Sequence, residues 1–249
     1  MIFKIIGKYL STEFAYAFCG KISLWLLSFS ILLISLASLM GLYWAPPDYQ
    51  QGDAFRIIYV HVPSAWMSLF VYVYLFVAAV VSLVWKVKIA EIGLRAAAPI
   101  GMIFTIAALV TGSIWGKPMW GTWWVWDARL TSELILLFIY LGIIGLATAI
   151  DDPRTASRAA AVMTLIGAVN IPIIHYSVEW WNTLHQGPTI TKFESPSIDL
   201  SMLIPLVIMV VGFFTYFLFV LSLRMRYEIL QYERNSRWIR NVIEKQKVT

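Results

Sequence analysis

The stretch "IIYVHVPSAWMSLFVYVYLFVAAVVSLVW", residues 57–85, contains no Lys, Arg, Asp or Glu. A helix needs about 20 predominantly apolar residues to cross the hydrocarbon core of a bilayer. No water is present there to satisfy backbone N–H and C=O groups, so a continuous apolar run of this length fits only a membrane-spanning helix. The stretch therefore predicts a transmembrane helix.

Five further charge-free runs have similar lengths. They cover residues 22–47, 96–116, 134–150, 159–178 and 200–223. Hydrophobic residues make up 60% of the 249 residues and charged residues only 13%, whereas soluble domains carry about a quarter charged residues. We predict an all-α integral membrane protein, a bundle of six transmembrane helices that forms a single membrane domain over residues 1–249.

The basic residues are distributed unevenly between the two sides of these helices. Fifteen of the 19 lie on the side of the chain ends, including Lys4 and Lys8, whereas the other side carries Arg56, Lys117, Arg129 and Lys192. The positive-inside tendency then predicts that both termini are cytoplasmic. The net charge of +5 reflects this bias and gives no reason to expect nucleic acid as a partner. Residues 44–61, 115–129 and 179–199 form the predicted functional, outer (periplasmic) loops.

Two sequence features exclude common chemistries. The segment "GSIWGKP", residues 112–118, has three residues between its glycines and a proline after its lysine. A P-loop has four residues there and a Ser or Thr after the lysine, so the chain is not expected to hydrolyse ATP or to be an enzyme by itself. Cys19 is the only cysteine, which argues against covalent c-type heme attachment through C-x-x-C-H.

Tryptophan is concentrated in the second outer loop, which includes "WGTWWVWDARLTSE", residues 120–133. Tryptophan is common at membrane interfaces, because an indole is apolar in body and polar at one N–H. Five tryptophans between residues 115 and 126 exceed what interface anchoring needs. Two interpretations therefore stand on about equal terms: a dense aromatic belt, and a platform for a large, flat, apolar ligand.

Two histidines lie on the same predicted side as the tryptophans. His61 precedes Val62 and Pro63, and a proline suits the first turn of a helix, so we expect His61 at the outer mouth of the second helix. His185 lies in the third outer loop. Two neutral imidazoles can occupy both axial positions of a heme iron, and arginines such as Arg56 and Arg129 can pair with heme propionates.

Other polar residues have structural explanations. His175 lies one turn before Glu179, and we favour an interpretation in which the two satisfy each other. Glu133 lies in the first turn of the predicted fourth helix, where the positive end of the helix dipole stabilises a carboxylate. Asp127 could cap that helix, orient an indole N–H or pair with Arg129.

The segment "WGTWWVWDARLTSELILL" resembles the WWD signature of the heme-handling membrane proteins of cytochrome c maturation. The segments "RIIYVHVPSAWMS" and "NIPIIHYSVEWWNTLHQGPTI" resemble the flanking histidine segments of one branch of that family, heme exporter protein C (CcmC). The resemblance runs from about Tyr43 to the end of the sixth helix. It implies non-covalent binding of heme b at the periplasmic surface, with His61 and His185 as axial ligands. The site predicted with it comprises Trp115, Trp120, Trp123, Trp124, Trp126, Asp127, Arg56 and Arg129.

The resemblance also implies partners and a role. Heme would be presented to the periplasmic chaperone CcmE, in a complex with CcmA, CcmB and CcmD in which CcmA supplies the ATPase. The missing P-loop is consistent with that division of labour. A b-type cytochrome that transfers electrons and a heme permease are the alternatives. Residues 224–249 form a basic cytoplasmic tail that could extend the sixth helix or lie on anionic lipid.

Overall fold

The computed structural model describes residues 11–185, 187 and 198–247, with side chains described up to residue 242. Lys4, Lys8, Lys192 and most of the third predicted outer loop lie outside the described residues. The helices are α1 Thr12–Leu39, α2 Ile58–Trp85, α3 Lys88–Trp120, α4 Ala128–Ala149, α5 Pro153–Gly167, α6 Asn170–Trp180, α7 Leu200–Tyr232 and α8 Arg237–Lys247. A π-helical turn, Met40–Trp44, extends α1, and a 3-10 turn, Asp53–Ile57, precedes α2.

Within the described residues, six helical spans are long and apolar enough to cross a membrane, with α5 and α6 together forming the fifth. The predicted all-α class and the number of spans are therefore confirmed. The N-terminal ends of α2 and α4 and the C-terminal ends of α3 and α6 meet at one end of the bundle. We call it the histidine end, because it carries His61 and His185.

The fifth span differs from the continuous helix predicted over residues 159–178. The chain turns at Ala168 and Val169 between α5 and α6. Pro172 has no N–H to donate to the carbonyl of Ala168 and fits best in the first turn of a new helix. The new helix begins at Asn170, whose side-chain amide donates to the carbonyl of Ser132 on α4 over 2.9 Å.

The core of the bundle lies between α2, α3, α4 and α5 and centres on two fully buried tyrosines. The Tyr72 hydroxyl donates to the Thr164 carbonyl over 2.9 Å, and the Tyr140 hydroxyl donates to the Ser68 carbonyl over 2.8 Å. A Cβ at Gly167 would lie 2.3 Å from the Tyr72 hydroxyl oxygen, so this glycine makes room for the ring. These hydrogen bonds satisfy polar groups that no water reaches in a bilayer.

Helix α1 packs mainly against α7, and their ends opposite the histidine end are joined by polar contacts. The Glu233 carboxylate accepts hydrogen bonds from Lys88, over 2.9 Å, and from Thr12, over 3.2 Å. Burial alone would raise the pKa of Glu233, but the hydrogen bonds and the charge of Lys88 lower it below its ordinary value. The predicted tail does extend the last span as far as Tyr232, and α8 then folds back so that Trp238 meets the Tyr16 ring edge to face.

Candidate functional site

His61 is the fourth residue of α2 and is buried, with 9% of its surface exposed. The prediction that Pro63 lies in the first turn of this helix is wrong. Ile58 already begins the helix, after the 3-10 turn, and Pro63 lies inside it. His61 is consequently held by helical backbone near the histidine end rather than lying in a loop.

The His61 ring is held against α3. Its Nδ1 lies 3.0 Å from the Thr111 hydroxyl oxygen, and the ring meets Trp115 edge to face at a centroid distance of 5.6 Å. Gly112 leaves the space in which the ring lies, because a Cβ there would approach the His61 Cε1 atom to 3.0 Å. Nδ1 is thus engaged, and Nε2 is left as the nitrogen able to bind a ligand.

His185 follows α6 in an irregular segment and brings a second imidazole to the same place. Its backbone N–H donates to the Thr183 hydroxyl over 3.2 Å, and its ring lies 5.5 Å from that of Trp120. Burial, together with the nearby charge of Arg129, lowers the pKa of His185 to about 4. The ring is therefore neutral at physiological pH, and its Nδ1 is buried without a hydrogen-bond partner.

The two imidazoles lie at a centroid distance of 6.2 Å, with their planes tilted by 48°. Imidazole nitrogens bind transition metals at about 2 Å, so two rings on opposite sides of one metal have centres about 6 Å apart. The observed separation fits a pair of axial ligands. The unpartnered Nδ1 of His185 fits the same role, because buried polar atoms of native proteins are nearly always satisfied.

Two adjoining cavities open beside the histidines, and the larger has a volume of about 370 Å³. Both are lined by His61, Ala65, Trp66, Leu69, Gly112, Trp120, Arg129 and His185. The histidine pair therefore stands where the two cavities meet. Binding pockets for cofactors commonly measure about 300–1,000 Å³ and combine apolar walls with a few polar groups, and this cleft has that character.

The structure brings three of the five predicted tryptophans to the cleft. Trp115 lines the larger cavity, Trp124 the smaller and Trp120 both. Trp123 and Trp126 lie outside both linings and are 56% and 76% exposed. The tryptophan-rich loop is also shorter than the predicted residues 115–129, because α3 runs to Trp120 and α4 begins at Ala128. The Nε1–H of Trp124 is buried without a hydrogen-bond partner.

The two predicted arginines have different surroundings. Arg129 lines both cavities, and its guanidinium donates to the Ile174 carbonyl over 2.8 Å. Arg56 lies outside both linings. It donates to the carbonyls of Gly41 and Ala45 at the end of α1 and pairs with Asp53 over 2.9 Å. Arg129 is therefore the arginine of this pair placed to meet an anionic group of a ligand in the cleft.

Asp127 connects two parts of the site. One carboxylate oxygen accepts from the Leu130 N–H over 2.8 Å and caps α4, while the other accepts from the Leu184 N–H over 3.4 Å. Of the three roles open from sequence, helix capping is confirmed. Because Leu184 precedes His185, the same carboxylate also ties the His185 segment to the start of α4.

Several cleft residues were not predicted from sequence. Thr111 contacts His61 from α3, and Trp66 lines both cavities. Glu133 lines the smaller cavity and accepts from the Ser68 hydroxyl over 2.8 Å. Helical spacing gives no signal for Trp66, because a residue five positions after His61 lies on a different face of the helix. His175 and Glu179 both line the larger cavity, and the structure shows no ion pair or hydrogen bond between these two described side chains.

Known proteins resemble this chain along most of its length. The family model described as heme exporter protein C matches residues 5–240. Heme exporter protein C of Escherichia coli K12 is 52% identical over 230 residues, which are 92% of this chain and 93% of that protein. The Haemophilus influenzae protein is 48% identical over 239 residues, 96% of this chain and 97% of that protein. The Bradyrhizobium diazoefficiens protein is 48% identical over 218 residues, 86% and 81% of the two chains. The resemblance found in the sequence is confirmed: the chain belongs to the heme exporter protein C family.

Proposed function

We propose that this protein binds heme b non-covalently at the histidine end, on the periplasmic side of the inner membrane. It presents the heme to the chaperone CcmE, as a subunit of a complex with CcmA, CcmB and CcmD. The observation that carries the proposal is the pair of imidazoles, 6.2 Å apart, in a tryptophan-lined cleft. Membership of the heme exporter protein C family supports a role in heme export and cytochrome c maturation.

The residues of the cleft divide the work of binding. His61 and His185 supply one axial nitrogen each, and Trp115, Trp120 and Trp124 supply apolar walls. Heme contributes a flat macrocycle and an iron with two axial positions. Burial of apolar surface contributes about 25 cal/mol per Å², so the walls supply affinity and the histidines fix orientation.

Arg129 supplies the positive charge of the site. Arginine pairs well with carboxylates through its planar, two-pronged guanidinium, and heme carries two propionates. The Arg129 side chain already donates to the Ile174 carbonyl and lines both cavities, so it is partly ordered before a ligand arrives. Arg56, which is bound to backbone carbonyls, contributes by holding the end of α1 beside the start of α2.

The position of the cleft favours a heme-presenting protein over the two alternatives. A b-type cytochrome that conducts electrons across a bilayer holds its heme at depth between helices. Here His61 lies in the first turn of α2 and His185 lies beyond the end of α6. The residues that line the two cavities lie at the histidine end of the bundle. This position also favours presentation of heme at a surface over passage of heme through the bilayer.

The proposal is tested with the purified protein in detergent and an absorption spectrum. His61→Ala and His185→Ala should each lose bound heme and the bis-histidine Soret band. His175→Ala is the matched control for loss of an imidazole, because the exposed His175 ring contacts Tyr176 rather than His61 or His185. Unchanged occupancy and spectrum in the first two variants would refute the ligand assignment.

A second arm tests presentation to the chaperone. The heme-loaded protein is mixed with purified CcmE, and covalent heme on CcmE is followed by heme staining of a denaturing gel. Transfer from the wild type and its loss in His185→Ala are expected. A reversible redox cycle with quinone and no transfer would instead support the electron-transfer alternative.

A further inference from the structure

Thr111 contacts the His61 ring from the neighbouring helix α3. Its hydroxyl oxygen lies 3.0 Å from His61 Nδ1. The same hydroxyl lies 2.6 Å from the Ala107 carbonyl oxygen and 3.3 Å from that of Ala108. One oxygen atom therefore meets a ring nitrogen and two backbone acceptors.

The direction of these hydrogen bonds follows from counting hydrogens. A threonine hydroxyl has one hydrogen to donate and two lone pairs, whereas a carbonyl oxygen can only accept. The Thr111 hydrogen is directed at the Ala107 carbonyl, its close partner. The contact with His61 is then satisfied only if Nδ1 carries the proton and Thr111 accepts it.

We propose that Thr111 is a positioning residue that holds His61 in the Nδ1–H tautomer, so that the Nε2 lone pair is available to iron before heme arrives. This inference rests on the proposed function of His61 as an axial ligand. Histidines that bind metals commonly donate their other N–H to an oxygen acceptor, which fixes the tautomer and strengthens the ligand. Thr111 supplies that acceptor from a rigid helix.

The surroundings of the ring reinforce this assignment. In the opposite tautomer, Nδ1 would face the Thr111 hydroxyl oxygen, whose hydrogen is already engaged by the Ala107 carbonyl. The edge contact with Trp115 and the space left by Gly112 restrict rotation of the ring. The Ala108 backbone also forms a hydrogen bond with the ring, and because a carbonyl can only accept, this contact likewise favours a protonated ring nitrogen.

The test begins with the heme-free, full-length protein. Nitrogen-15 chemical shifts of labelled histidine distinguish the two neutral tautomers, and the three histidines are assigned with His175→Ala and His185→Ala. Wild-type His61 should show the Nδ1–H pattern. Thr111→Val, which keeps the shape and removes the oxygen, should shift His61 toward a mixture, whereas Thr111→Ser should retain the wild-type pattern.

Heme affinity gives the second readout. Thr111→Val should weaken binding by roughly 10- to 100-fold, as loss of a partner behind a metal ligand commonly does. Thr105→Val is the matched control, because Thr105 lies on the same helix and its hydroxyl also donates four residues back, to Gly101, without contact to His61. This control should bind heme like the wild type.

An Nε2–H pattern for wild-type His61 would overturn the proposal. The proposal would also be overturned if Thr111→Val had the same His61 tautomer and the same heme affinity as Thr105→Val. If Thr111→Val fails to fold, the wild-type tautomer and the binding by Thr111→Ser still decide. Failure of the proposed function gives a different result, in which His61 has the expected tautomer but His61→Ala binds heme normally.

Discussion

Gly112→Ala should weaken heme binding while it leaves the fold at least as stable as before. A Cβ at position 112 would lie 3.0 Å from the Cε1 atom of His61. Ordinary carbon contacts lie at about 3.5–4.0 Å, so the ring must move by about 0.5 Å or more. Ligand groups have to be held within about 0.5 Å of their productive positions, so this displacement reaches the limit that binding tolerates.

The two effects of this substitution have opposite signs. Replacement of a glycine in a helix interior by alanine stabilises a protein by about 0.5–1 kcal/mol, which raises the melting temperature of a chain of this size by about 2–4 °C. A disturbed metal ligand costs at least about tenfold in affinity, or about 1.4 kcal/mol of binding free energy. Heme titration of the purified protein and thermal unfolding of its heme-free form measure the two effects separately.

Gly145→Ala is the matched control. Gly145 lies in the interior of α4, and a Cβ there would meet nothing within 4 Å. This variant should show the gain in melting temperature with wild-type heme affinity. If Gly112→Ala binds heme as tightly as Gly145→Ala, the packing of Gly112 against the His61 ring does not determine the ligand position, and the reasoning is refuted.

Further predictions concern three other residues. Trp124→Phe should lower heme affinity without destabilising the heme-free protein, because the buried Nε1–H of Trp124 lacks a protein partner and is available to a ligand. Trp126→Phe, at an exposed position, is the control. Equal heme affinities of the two variants would contradict this prediction. Asp127→Ala should lower the melting temperature, because it removes a helix cap worth about 1 kcal/mol. It should also weaken heme binding, because it releases Leu184, the residue before His185. An effect on stability alone would show that the contact with Leu184 does not position His185. Because the pKa of Glu233 is lowered in the folded protein, its contribution to stability is present above its unfolded pKa of about 4.3 and is lost as the pH falls below that value. The melting temperature between pH 3 and 6 should therefore depend less on pH in Glu233→Gln than in the wild type.

The number of spans was predictable because charge is costly in hydrocarbon and therefore delimits each helix. The helix ends were not, because interfacial turns tolerate polar residues: α1 begins at Thr12, well before the charge-free run, and α7 runs to Tyr232. The break before Asn170 carries a visible signal in Pro172. It was missed because the apolar run continues through it, and hydropathy does not register a missing N–H.

The structure brings His61, His185, Trp120 and Arg129 together, as expected from their shared side of the membrane. Sequence could not separate Trp124 from Trp126, because neighbouring residues of an irregular loop have no fixed period that indicates which side chain points inward. The role of Thr111 was equally hidden. Its contact with His61 joins two helices, and such pairings are not readable from spacing along one chain.

The break in the fifth span has a consequence for the release of cargo. Without a continuous backbone ladder, α6 is joined to the bundle by individual contacts, among them those of Asn170 with Ser132 and of Arg129 with Ile174. Because His185 follows α6, it can withdraw when a few such links open, while the tyrosine-centred core stays intact. Local openings need far less free energy than global unfolding, so we expect the opening of α6, rather than unfolding of the bundle, to set how long a bound molecule stays in contact with His185.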